Sequence, residues 1–104
     1  MTAEKVSVLG LGYTVEFANL ALESGEAGNC SPNTLTIKID SGLPADLHNK
    51  TLLHELIHAA LDALGQAGHY EDEPLVDGLA LSLYQILRDC GALDMRCKLL
   101  KNPE

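Results

Sequence analysis

Residues 51–65 read TLLHELIHAALDALG, and within them lies HELIH, from His54 to His58. On an α-helix, residues i and i+4 are offset by about 40° and rise about 6 Å, so His54 and His58 stack on one face. Their ring nitrogens can then reach one Zn²⁺ at about 2.0–2.1 Å. Glu55 lies about 100° round from His54, where it can edge the metal and hold a water against it without binding. Leu53, Ile57, Leu61 and Leu64 follow the other side of the helix and are expected to bury it, leaving the ligands a separate surface. By itself an H-E-x-x-H run can be two polar residues on an amphipathic helix. A catalytic zinc also needs a third protein ligand and one open position.

Downstream, EDEPLVDGLA places Glu73 and Asp77 one turn apart at the opening of a second helix. A Glu73 carboxylate can complete a His₂Glu set. Asp77 can accept the remaining N–H of a ligating histidine, fixing its tautomer and raising its basicity. Helix N-termini favour acids, which accounts for Glu71 and Asp72 but not for Asp77 on a largely apolar helix. His69 and Glu71 stand as rival third ligands.

Outward from these motifs the chain orders itself as strands first and helices second, an α+β arrangement. Val6–Leu9 and Tyr13–Phe17 read as strands around a Gly-Leu-Gly break. Leu35–Asp40, in TLTIKID, alternates at period 2. The SPN turn allows Ala27–Cys30 to pair with that strand as a hairpin, while residues 18–24 fit either a loop or a short helix. The first long helix is expected from Ala45 or Leu47 to Leu64, stopped by Gly65. The second runs from near Pro74 to about Cys90, with Leu75, Leu79, Leu83 and Ile86 as an apolar stripe and Val76, Ala80 and Leu87 widening it. Residues 91–104 form a tail, with a short helix from Leu93 before it frays. The whole, 1–104, reads as one minimal domain with its core in about 6–90.

Composition narrows the function classes. The formal charge is −8, from seven Lys and Arg against fifteen Asp and Glu. That balance opposes nucleic-acid binding, which needs clustered cations, and disfavours an SprT-like protease acting at DNA. No run approaches the roughly 18–20 apolar residues of a membrane span. Cys30, Cys90 and Cys97 are odd in number and irregular in spacing, so a reducing, cytoplasmic setting is expected. Cys30 reads first as a small packed residue and second as a thiolate able to fill the open metal position. His48 reads as a solvated residue at the helix start.

HELIH followed by a helix bearing E-x-x-x-D resembles the gluzincin group of zinc metallopeptidases. The run from YTVEF through TIKID, TLLHELIHA and EPLVDGLALSLYQILRD is also similar to small metallopeptidase-like proteins of phages and prophages. It is likewise similar to the catalytic core of ImmA/IrrE-type peptidases. The resemblance implies a zincin-like fold, with a small N-terminal antiparallel or mixed sheet on the HExxH helix and a second, ligand-bearing helix. It implies a zinc-dependent peptidase in which His54, His58 and Glu73 bind zinc, Glu55 is the base and Asp77 supports a histidine. The chain departs from metzincins, since Leu61 and Leu64 occupy the places of their further Gly and His. The partner implied is a peptide or protein substrate; the oligomeric state is open. Oxyanion donors are sought in Tyr70 and His69, with Tyr84 as a third candidate, and TLTIKID is the expected edge strand for an extended peptide. The alternatives are a zinc-binding regulatory or interaction domain with a non-proteolytic site, and a metal-free structural protein.

Overall fold

The structure is a computed structural model, and residues 2–66, 68, 72–89 and 99–101 are described. Strand β1, Thr2–Val8, turns at Leu9 and Gly10, both at positive φ, into β2, Leu11–Ala18. The two pair antiparallel with Val8 opposite Leu11, so the break is the Leu9–Gly10 pair and Leu11 and Gly12 belong to β2. This is the two-residue hairpin turn whose twist suits the strands. A short helix α1, Leu20–Ser24, settles the ambiguous stretch. Then come β3, Gly28–Ser31, a 3-10 turn, Pro32–Thr34, and β4, Thr36–Asp40. Leu35, expected in β4, instead ends the 3-10 turn at φ 51 with its N–H on the Pro32 carbonyl.

The sheet is mixed, in the order β1-β2-β4-β3. β4 runs parallel to β2 and antiparallel to β3. TLTIKID is therefore an interior strand, and the edges belong to β1 and β3, with β3 flanking β4 on the side away from β2. The expected peptide edge is corrected accordingly, because the alternation that marks a half-buried strand carries no information about its neighbours. Period 2 sends Tyr13, Val15, Ile37 and Ile39 to one face, all fully buried.

Helix α2, Ala45–Ala63, lies on that face. It stops as expected: Gly65 takes φ 73, its N–H meets the Asp62 carbonyl, and the Gln66 N–H meets that of Leu61. Those paired bonds are the Schellman ending. Helix α3, Glu73–Asp89, packs on α2 and is capped by Asp72, whose Oδ1 accepts the Leu75 N–H at 3.2 Å. Cys90 lies outside the described residues. No described helix is long and apolar enough to cross a membrane.

Both helices sit in a different phase from the one expected. The buried line of α2 is Leu52, Glu55 and Ala59, joined by His48, Asn49, Thr51 and His58, while Leu64 is exposed and Leu53, Ile57 and Leu61 are only half-buried. α2 is covered by the sheet on one side and α3 on another, so its polar residues enter the interior. In α3 the buried line is Val76, Ala80 and Tyr84, so the flank of the expected apolar stripe is buried while its centre, Leu75, Leu79, Leu83 and Ile86, is 38–53% exposed.

The C-terminal segment also departs from the expectation of a fraying tail. Leu99 is buried in the core with Tyr13, Val15, Ile37 and Leu52, so the core extends beyond residue 90. Asn49 holds the segment with both ends of its amide, donating to the Lys101 carbonyl at 2.9 Å and accepting the Lys101 N–H at 2.8 Å. His48 is buried, not solvated. Its Nε2 donates to the Leu99 carbonyl at 2.8 Å and its ring stacks on Phe17 at 5.4 Å. Burial lowers its pKa from the ordinary value. The helix expected from Leu93 lies outside the described residues.

Candidate metal centre

His54 and His58 project from α2 toward the first turn of α3, where Glu73 is the first helical residue. Glu73 spans the two rings: Oε1 lies 2.6 Å from His58 Nε2 and Oε2 lies 3.0 Å from His54 Nε2. The two Nε2 atoms are 3.2 Å apart. Metal bonds of about 2.0–2.1 Å in a tetrahedron put neighbouring donor atoms about 3.3 Å apart. The observed triangle needs only a small expansion to reach that figure. His54, His58 and Glu73 can thus hold a metal ion, with their donor atoms all within 4.8 Å of one another.

Asp77, one turn along α3, places Oδ1 3.4 Å from His54 Nδ1, the nitrogen turned away from the triangle. The same oxygen receives the Lys50 ammonium at 2.9 Å, and this contact holds the Asp77 carboxyl below the usual carboxylate range. His54 adds in the same direction and burial opposes. Two helices therefore converge on one point through i, i+4 pairs, His54/His58 on α2 and Glu73/Asp77 on α3.

Glu55 sits beside the triangle, only 6% exposed. Burial pushes its carboxyl from an ordinary 4.5 up to about 7, with the Glu73 and Glu26 charges adding to the effect. A carboxyl poised there can take a proton and return it near neutral pH. Triangle and base open onto a cleft of about 430 Å³ lined by Glu26, Asn29, Cys30, His54, Glu55 and Glu73, among others. Its far wall is the edge strand β3. Gly28 lets that strand lie close on α2: a Cβ there would stand 2.8 Å from Thr51 Cγ2 and 3.1 Å from the Lys38 carbonyl oxygen.

Several sequence expectations resolve at this site. His54, Glu55, His58, Glu73 and Asp77 are brought together. His69, Tyr70 and Glu71, the oxyanion candidates and rival ligands of the connecting loop, lie outside the described residues. Tyr84 is turned elsewhere, its hydroxyl donating to Asp46 at 2.5 Å because that acid stands opposite it on the first turn of α2. Cys30 lines the cleft but is not among the residues whose donor atoms form the triangle. Its thiol lies against the Tyr13 hydroxyl, whose pKa is raised first by burial and then by Cys30 and Asp62.

Two residues escaped sequence reasoning. Lys50 stands four residues before His54, a spacing that signals a shared helix face. Glu26 comes from a Gly-Ser-rich loop with no signal of its own; its Oε1 accepts from Ser24 Oγ at 2.9 Å and Asn29 Nδ2 at 3.3 Å. No family model, curated protein or solved structure matches the chain.

Proposed function

We propose that the chain is a minimal zinc-dependent metallopeptidase of zincin-like architecture. One observation carries the reading: two imidazole nitrogens and a carboxylate close a triangle of metal-binding size, with a buried carboxyl of near-neutral pKa on the same cleft wall. The donor set of two His and one Glu suits zinc with one position left open. Zinc bound there supplies Lewis acidity, polarising a carbonyl and bringing the pKa of water toward about 7.

The protein's own groups do the rest. Glu55 takes the proton from the attacking water and passes it to the leaving amine. Asp77 orients His54. The side of β3 away from β4 would offer backbone groups to an extended peptide lying along the cleft by strand addition.

The test begins with metal content. Purified protein is expected to hold one zinc per chain, lost in His58→Ala and in Glu73→Ala; a wild type that binds none removes the proposal. Glu55→Gln is expected to keep the metal and lose cleavage of unfolded protein substrates. Full activity in that variant would refute the role of Glu55. A second reading, a metal-binding interaction domain without peptidase activity, is favoured by the exposed Leu75, Leu79, Leu83 and Ile86 stripe, since apolar patches mark docking surfaces. Against it stands Glu55, for which a purely structural site has no use.

A further inference from the structure

Lys50, His54 and His58 follow one another along α2 at intervals of four residues. Asp77 on α3 meets the first two of them through a single oxygen, 2.9 Å from the ammonium and 3.4 Å from His54 Nδ1. The other nitrogen of His54 belongs to the metal triangle. Lys50 is thus linked to the metal position through two intervening groups and touches no ligand atom of it.

A carboxylate that accepts the Nδ1–H of an imidazole pushes electron density to Nε2 and strengthens that atom as a ligand. A cation on the same oxygen draws the charge the other way. We propose that Lys50 is a positioning residue that sets the strength of metal binding, by holding the Asp77 oxygen between the helices and withdrawing part of its support from His54. This rests on the reading of His54, His58 and Glu73 as metal ligands.

Two consequences of the contact oppose each other. Anchoring Asp77 against solvent favours its bond to His54; sharing the oxygen weakens that bond. The distances decide between them, since the ammonium holds the oxygen more closely than the imidazole does. Charge withdrawal wins, and the direct repulsion between an ammonium and a dication acts in the same sense. Lys50 also lines a second pocket beside the cleft with Glu26, Glu55, Glu73 and Asp77, where its charge offsets the mutual repulsion of the carboxylates.

The experiment is a competition titration of Zn²⁺ against a chromophoric chelator, at one pH and ionic strength. It compares wild type, Lys50→Met, Lys50→Arg, Asp77→Asn and the Lys50→Met/Asp77→Asn double variant. Changes in groups that support a metal-bound histidine typically alter affinity 10–100-fold, so Asp77→Asn should weaken binding by roughly that factor. Lys50→Met should bind roughly threefold to tenfold more tightly, a fraction of that range because the lysine acts one group further out. Lys50→Arg should match wild type, and adding Lys50→Met to Asp77→Asn should tighten binding by much less than it does in wild type, because only the direct charge repulsion is then left to remove.

A second readout is the His54 Nδ1–H resonance in the Co²⁺-loaded protein, expected to move in Lys50→Met and to stay in place in Lys50→Arg. Unchanged or weaker affinity in a folded Lys50→Met variant overturns the proposal. So does tightening that persists in full when Asp77 is already Asn, because the lysine would then act as bulk charge alone. If wild type binds no zinc, the metal reading falls first and takes this one with it; if wild type binds and the coupling is missing, only the role of Lys50 falls.

Discussion

Replacing Glu55 by Gln keeps the shape of the side chain and removes its titration, which makes it a direct probe of how the buried carboxyl loads the fold. In the metal-free protein Glu55 is raised from an ordinary 4.5 to about 7, chiefly by burial. At 1.36 kcal/mol per tenfold change in proton affinity, the gap corresponds to roughly 3 kcal/mol. The sign follows from linkage: the folded state binds the proton more tightly than the unfolded one. The stabilisation is therefore complete below about 4.5, declines as pH rises, and is gone above about 7.

Gln carries no such dependence. Urea denaturation of both proteins in chelator, at intervals from pH 4.5 to 8, should show Gln gaining on wild type by roughly 3 kcal/mol across that window and no further above it. A difference that stays flat, or that grows toward acid, would refute the claim that this carboxyl is buried and protonated in the metal-free fold. Added zinc should shrink the difference, because a nearby dication favours the ionised carboxylate.

The contacts of β3 and of the C-terminal segment give two further outcomes. Gly28→Ala puts a methyl 2.8 Å from Thr51 Cγ2 and 3.1 Å from a backbone oxygen; it should cost about 1–3 kcal/mol of stability by denaturant titration and widen the cleft, and an undiminished stability would mean β3 is not pressed against α2. Asn49→Ala removes both amide bonds to Lys101. It should cost roughly 1–3 kcal/mol and speed hydrogen exchange at the Lys101 amide, whereas unchanged protection there would show that the segment is held by other means.

What could be read in advance was what depends on local chemistry. HELIH and E-x-x-x-D are short-range patterns, and their i, i+4 geometry survives in any helix. The strand TVEF announces itself by β-branched, aromatic and apolar content, TIKID by alternation, and Gly65 by its place after the last periodic residue. The failures all involve partners distant in sequence. His48 is solvated or buried according to where Leu99 lies, which nothing near His48 reveals. TLTIKID is edge or interior according to whether β3 crosses to its far side. Lys50 gains its role from Asp77, 27 positions on by their numbers in the chain. A lysine at a helix start otherwise reads as a solvated charge.

The phase of α3 is the failure with the most physical content. Its Leu75, Leu79, Leu83 and Ile86 offer the more hydrophobic face, and burying one such side chain fully is worth about 1.5–3 kcal/mol. Leaving four of them 38–53% exposed therefore forgoes several kcal/mol that a rotation of about 100° would recover in part. In exchange, the helix turns Val76, Ala80 and Tyr84 inward and brings Glu73 onto the two imidazoles. A hydrogen bond from a ring N–H to the Glu73 carboxylate contributes only about 1–3 kcal/mol net, too little to set the phase alone. A metal ion held by His54, His58 and Glu73 would add to this, since structural zinc sites gain on the order of 10 kcal/mol on binding and these three donors meet only when α3 has this rotation. On the proposed metal reading the orientation of the helix and the affinity of the centre would be linked, so that filling the site should stabilise the fold with α3 in this phase.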